Sequence, residues 1–234
     1  MLLVKDLEKT YGDFKAIDSV NFFVEKGEII GLLGENGAGK TTLINLITSM
    51  IKPSYGKIEL EKFTYGTKEY KRNIGVAFGG EVSLYDRLTV RENLNYFAAL
   101  YGIENPNVTI AQLGELFDFV HYENKKIEQL SRGMKQRISL AISLIHNPEL
   151  ILFDEPTIGL DISGQNTIKQ LVKLLKEKGK TVIYSTNIIP EVEEICDKII
   201  ILHKGNLKEF DTISNIECKY QKRIKEIFLD IIRR

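Results

Sequence analysis

The chain has 234 residues, 43% of them hydrophobic, which is enough for a sizeable core in one domain with an elaboration and too little for a tandem protein. Lys plus Arg and Asp plus Glu are balanced at 32 each, so no overall field draws the chain to nucleic acid or to an anionic membrane, and partners must be recognised locally. No stretch approaches the ~20 apolar residues of a membrane-spanning helix. Met1-Leu2-Leu3-Val4-Lys5-Asp6 has charges where a signal peptide has its apolar core, and Cys196 and Cys218 lack metal-type spacing. These features predict a soluble cytoplasmic chain with reduced thiols and no direct membrane span.

Residues 1–33 carry short β-type runs broken by turn signals at Tyr11-Gly12-Asp13 and Lys26-Gly27, and they lead through the apolar run Ile29-Ile30-Gly31-Leu32-Leu33 into residues 34–41. Those read Gly34-Glu35-Asn36-Gly37-Ala38-Gly39-Lys40-Thr41, which fits G-x-x-x-x-G-K-[ST] at every fixed position. The pattern predicts a cradle for an oligophosphate. Successive backbone N–H groups converge on the anion, and Gly34, Gly37 and Gly39 remove Cβ atoms that would block the approach. Lys40 reaches the β- and γ-phosphates, and the helix starting near it points its positive end at the same charge. The Thr41 hydroxyl is a candidate Mg²⁺ ligand, with Thr42 a neighbour.

Further along, strands are predicted at residues 57–60, 74–78, 150–153, 181–185 and 198–202, several of them apolar without alternation, as in a buried, mixed or mostly parallel sheet. Residues 84–129 switch to helical spacing. Thr89 and Glu92 form a T-x-x-E capping box ahead of Leu94, Phe97, Ala98 and Tyr101, Gly102 stops that helix, and a second helix is predicted over 109–120. Leu150-Ile151-Leu152-Phe153-Asp154-Glu155 is an apolar strand ending in two carboxylates, a Walker B pattern. Asp154 is suited to the Mg²⁺ shell and Glu155 to accepting a proton from attacking water as general base. Ile168, Leu171, Val172 and Leu175 predict another helix, ended by Gly179 before the strand at Thr181. From Thr212 one helix is predicted, with Ile216, Tyr220, Ile224 and Ile227 on one side and a basic face opposite.

Leu130-Ser131-Arg132-Gly133-Met134 precedes an apolar helix, and with it the chain resembles the ATP-binding cassette (ABC) ATPases over nearly its whole length, from Tyr11 to about Gly205, with five motifs in the family's order. In that family an L-S-G-G-Q segment contacts the γ-phosphate of ATP held by the opposite protomer. Leu130, Ser131 and Gly133 match it, and Arg132 and Met134 replace the third and fifth residues. Ser131 is a good N-cap and Gly133 permits close approach. Pro156, Gly159, Leu160 and Asp161 follow as the family's D-loop does, and Tyr11 sits where the family stacks an aromatic ring on adenine, a contact worth ~1 to 3 kcal/mol in nucleic-acid systems. The resemblance implies a P-loop NTPase α/β core (1–83 and 130–211) with an antiparallel β element, an inserted helical subdomain (84–129) and a C-terminal helix (212–234). It implies ATP and Mg²⁺ as cofactors and a head-to-tail cassette dimer, identical or mixed, that serves separate transmembrane permease subunits from the inner face of the membrane.

Two positions depart from the family. Gly79-Gly80-Glu81 stands where a glutamine is usual; Phe78-Gly79-Gly80 with Leu84-Tyr85 looks like the bacterial sodium- and drug-exporting cassettes, and residues 79–87 are the expected permease contact. Asn187 replaces the histidine that binds the γ-phosphate, and a neutral donor to an anion is roughly half as strong as a charged one. The leading expectation is an ATPase subunit powering an exporter of ions or drugs, with Lys40, Glu155 and Asn187 as catalytic candidates. The alternative is a slow nucleotide-gated switch or an impaired heterodimer half. A soluble ABC ATPase acting on DNA is disfavoured, because the long heptad arms of repair relatives are missing.

Overall fold

The structure is a computed structural model that describes residues 1–79 and 84–233. Gly80 and Glu81, and with them much of the expected permease contact, lie outside the described residues. The N-terminal half alternates β1 (Leu2–Tyr11), β2 (Phe14–Val24), β3 (Ile29–Leu33), α1 (Lys40–Ile47), β4 (Tyr55–Leu60), α2 (Lys68–Arg72) and β5 (Ile74–Phe78). Two helices follow, α3 (Val90–Leu100) and α4 (Asn107–Leu116), then two 3-10 turns and α5 (Arg132–Leu144). The chain continues through β6 (Leu150–Asp154), α6 (Ile162–Glu177), β7 (Thr181–Thr186), α7 (Ile189–Ile195), β8 (Lys198–His203), β9 (Asn206–Asp211), α8 (Ile213–Tyr220) and α9 (Ile224–Ile232).

Two sheets result. Strands β2-β1-β4 form an antiparallel three-stranded sheet, and β5-β6-β7-β3-β8-β9 form a six-stranded sheet that is parallel except for β9. The apolar strands lie in the middle because both of their faces are covered: every residue of β3, β6 and β7 is buried. The two-residue period then sorts their side chains. Ile151 and Phe153 pack with α3 to α6, whereas Leu150 and Leu152 pack with α1 and the antiparallel sheet. Ile199 and Ile201 of β8 meet Ile216, Ile224, Ile227 and Phe228 of the C-terminal helices.

The capping box at α3 forms as expected, with the Thr89 side chain accepting from the Glu92 N–H and the Glu92 carboxylate accepting from the Thr89 N–H. Three expectations need adjustment. The helix predicted over 109–120 is α4, which starts at Asn107 and ends at Leu116; Asp118, at φ +54, turns the chain away. The single C-terminal helix is two, because Gln221 is left-handed at φ +52 and closes α8. Tyr220 is consequently half exposed, and its hydroxyl donates to Glu209 instead of joining the buried Ile216, Ile224 and Ile227.

Candidate functional site

The parallel register brings the ends of β3, β6 and β7 together. Leu33 pairs with Thr186 and Asp154 pairs with Ser185, so the phosphate loop and both carboxylates leave the same sheet edge. Ligand clefts of open α/β sheets lie outside these carboxyl ends. Between β3 and α1 the loop turns tightly, and Gly39, at φ +106, sits where an added Cβ would come within 2.8 Å of the Ala16 carbonyl oxygen, so only glycine fits there. A cleft of about 590 Å³ opens above it, lined by Glu35, Asn36, Gly37, Gly39, Lys40, Thr41, Thr42, Asp154 and Glu155 together with Phe14 and Phe78.

Lys40 is 5% exposed. Its ammonium donates to the Gly34 carbonyl at 2.8 Å and the Glu35 carbonyl at 3.2 Å and lies 3.1 Å from Oε1 of Glu155. The N–H of Ala38 donates to the Glu35 carbonyl at 3.1 Å, which tightens the loop from inside. A buried ammonium needs such partners. Asp154 is equally buried; its two oxygens accept from the Thr41 hydroxyl at 2.7 Å and from the Ser185 hydroxyl at 2.6 Å. Glu155 follows with a left-handed backbone, φ +48, a strained conformation for a carboxylate residue. That turn separates the two acids: Asp154 faces Thr41 and Ser185, and Glu155 faces Lys40. The end of β5 is pinned beside them, because the Gly79 N–H donates to the Asp154 carbonyl at 2.6 Å and a Cβ on Gly79 would lie 2.1 Å from the Glu155 carbonyl oxygen.

The remaining sequence candidates lie elsewhere. Ser131 caps α5, its hydroxyl accepting from the Met134 N–H at 3.3 Å, and with Gly133 it lines a separate cleft of about 340 Å³ against Gly159, Leu160 and Asp161. Arg132 lies flat on Gly159, where a Cβ would meet its guanidinium at 2.8 Å. Within one chain these residues do not join the phosphate cleft. Asn187 is exposed just past β7 and is not among the residues lining the cleft. Tyr11 is 51% exposed, carries the Lys9 ammonium over its ring at 4.9 Å and does not line the cleft; Phe14, its partner across the hairpin, lines it along with Phe78.

Sequence reasoning therefore missed Phe14, which no motif marks, and Ser185, whose part depends on strand order. Once β6 and β7 are known to be adjacent and parallel, their register alone assigns Ser185 to Asp154. Behind Ser185, the hydroxyls of Tyr184 and Thr186 donate to the buried Glu191 carboxylate at 3.2 Å and 2.7 Å, which ties the end of β7 to α7.

Comparison with known proteins gives a consistent picture. The profile of the ABC transporter family matches residues 17–158. The chain is 41% identical to the ABC transporter ATP-binding protein NatA of Bacillus subtilis over 88% of its own length and 87% of that protein. It is also 41% identical to the bacitracin transport ATP-binding protein BcrA of Bacillus licheniformis, over 92% of this chain and 72% of that one. Among solved structures, the ATP binding subunit of an ABC transporter superposes with a TM-score of 0.90 at 30% identity, covering 98% of both chains. The dimeric, post-hydrolysis ATP-binding cassette MJ0796 bound to ADP and Pi superposes with a TM-score of 0.81 at 28% identity, covering 91% of this chain and 98% of that one. With a phosphate loop, a buried aspartate and an adjacent glutamate gathered on one sheet edge, the chain belongs to the ABC transporter family, as one of its ATP-binding cassette ATPases.

Proposed function

We propose that this cassette hydrolyses ATP to drive a membrane exporter of ions or drugs, docked on separate permease subunits at the inner face of the membrane and working as a head-to-tail pair. The observation that carries the catalytic part is the convergence of Lys40, Thr41, Asp154 and Glu155 on one cleft. Lys40 is already desolvated and held at the loop, so it meets incoming phosphate without paying a fresh desolvation cost. Asn36, Gly37 and Thr42 line the same cleft and complete the cradle. Glu155 faces the cleft and serves as the general base, holding the water proton as attack proceeds.

Thr41 and Asp154 fit a magnesium site: both present hard oxygens, and they are already 2.7 Å apart. Bound there, the ion would neutralise phosphate charge. Among the described residues no cluster of three or more His, Cys, Asp and Glu could hold a metal, so this ion would share its shell with substrate phosphates.

Ser131 and Gly133 then act in trans. They form a capped helix start on a face remote from their own phosphate cleft, and a second copy is needed to bring such a start to the nucleotide. The MJ0796 cassette, a structural relative, is dimeric with ADP and Pi. The drug part of this reading is supported by relatives named for bacitracin transport and linearmycin resistance, at 41% and 36% identity. A relative in another system is described as part of a transporter complex. Among the described residues no helix is long and apolar enough to cross a membrane. No relative named here supports the slow-switch alternative.

The test is ATP turnover by the purified chain across a protein concentration series, alone and with the permease that co-purifies with it reconstituted in lipid vesicles. Turnover that rises with concentration and rises again with the permease is expected. A permease that neither co-purifies nor changes turnover would refute the transport reading.

A further inference from the structure

The turn between β8 and β9 underlies the phosphate loop. The Leu202 carbonyl oxygen lies where a Cβ on Gly34 would come within 2.7 Å, and the Gly205 N–H donates to the Ala38 carbonyl at 2.9 Å. The Gly205 carbonyl in turn accepts from the Asp18 N–H at 2.9 Å, so the turn is anchored to β2 as well. Between these backbone contacts stands one side chain. His203 is 3% exposed, and its Nδ1 is 3.0 Å from Oε1 of Glu35, the second residue of the phosphate loop. The contact lies off the hydrogen-bond axis, and neither ring nitrogen has a hydrogen-bond partner among the described residues. The attraction is therefore one of charge, present when the ring is protonated.

Glu35 is an odd residue for a loop that grips phosphates. Its carboxylate is 43% exposed and lines the cleft, a negative charge beside a polyanionic ligand. Lys40 does not neutralise it, because that ammonium takes the Glu35 backbone carbonyl and the Glu155 carboxylate. The ring of His203 also borders a cavity of about 340 Å³ with Lys204 of the turn, Asn206 and Lys208 of β9 and Tyr220 of α8. Tyr220 donates to the Glu209 carboxylate, which Lys219 also engages, so that acid is already partnered; among the described residues Glu35 is the acid within ion-pair distance of the ring.

We infer that His203 is a positioning residue of the phosphate loop, whose protonated ring draws the Glu35 carboxylate aside and offsets its charge, so that nucleotide binds more tightly than the loop alone would allow. The inference rests on the nucleotide reading of this cleft. Its pH sign follows directly. A proton on the ring screens Glu35, and its loss at higher pH leaves Glu35 facing the phosphates.

The test is titration of the full chain with a fluorescent ATP analogue, together with steady-state kinetics, for the wild type, His203→Gln, Glu35→Gln and the double variant. His203→Gln is expected to weaken binding about three- to tenfold, the range of a single partly exposed charge pair, raising KM while kcat stays within about twofold. In the Glu35→Gln background the same substitution should have no effect, and the fall in wild-type affinity with rising pH should vanish in both single variants. Equal loss of affinity in both backgrounds, or a wild-type affinity independent of pH, would overturn the inference. If His203→Gln does not fold, Glu35→Gln decides alone: retention of the wild-type pH profile overturns the role of the pair. A wild type that binds no analogue at any pH would overturn the nucleotide reading itself, and this inference with it.

Discussion

His146 offers a test of how the helical region is fastened to the sheet. It follows α5, its ring stacks on Tyr101 with centroids 3.7 Å apart and planes at 7°, and its Nε2 lies 3.0 Å from the Ile74 carbonyl oxygen at the start of β5. That geometry requires Nε2–H as the donor, and the buried Nδ1 has no hydrogen-bond partner among the described residues, so a second proton there would be unsatisfied. Burial, reinforced by the charge of Lys180, lowers its pKa from 6.5 to about 4. The unfolded chain binds this proton near pH 6.5 and the folded chain does not, so stability is intact above that pH and is lost progressively as pH falls towards 4. At 1.36 kcal/mol per unit the loss is about 2 kcal/mol by pH 5 and about 3 kcal/mol at the acid limit. For a chain of this size 2 kcal/mol corresponds to a melting shift of roughly 4 to 8 °C. Thermal melts of the wild type and His146→Gln at pH 7 and pH 5 isolate the effect, because acids such as Glu149, held low by hydrogen bonds from Lys180 and Lys26, titrate alike in both proteins. The wild type should lose about 2 kcal/mol more than the variant between the two pH values. Equal losses would refute the assignment of a buried neutral imidazole at this junction.

Glu155→Gln should lower ATP turnover by about 10² to 10⁴, the contribution of a positioned general base, while nucleotide affinity holds or rises because Lys40 is freed from its 3.1 Å partner; turnover within a fewfold of wild type would remove Glu155 from the mechanism. Ser185→Ala should destabilise the chain by about 1 to 3 kcal/mol, since one oxygen of the buried Asp154 loses its donor, and urea unfolding that shows no change would contradict the geometry. Asn187→His adds a charged donor at the end of β7 and should raise turnover if that side chain reaches phosphate in the dimer; unchanged kcat would assign Asn187 no part in the chemistry. Phe14→Ala should raise the KM for ATP by about tenfold, more than Tyr11→Ala does, if the ring that lines the cleft is the one that stacks on the base, and the reverse order would restore Tyr11 to that place.

Local chemistry was legible from the sequence where the relevant forces are local. The capping box at Thr89, the N-cap at Ser131 and the glycine loop each occupy fewer than ten consecutive residues, and each formed where its pattern placed it. The apolar runs of β3, β6 and β7 announced burial on both faces, although no run could reveal its neighbours. Strand order is a long-range property, and the residues that depend on it were missed: Ser185 faces Asp154 across 31 positions, and His203 faces Glu35 across a larger gap still. The break at Gln221 was missed as well. Its left-handed φ of +52 closes α8, Ile224 and Ile227 beyond it pack with Ile199 and Ile201 of β8, and nothing in the helical spacing of Ile216, Ile224 and Ile227 opposes a continuous helix. The same distinction separates Tyr11 from Phe14. A family position marks Tyr11, but Tyr11 and Phe14 pair across a two-residue turn, and of the two only Phe14 lines the cleft. Residues that touch phosphate are fixed by loop chemistry and can be read in one dimension, whereas residues that orient or offset them come from neighbouring strands and become visible only in the fold.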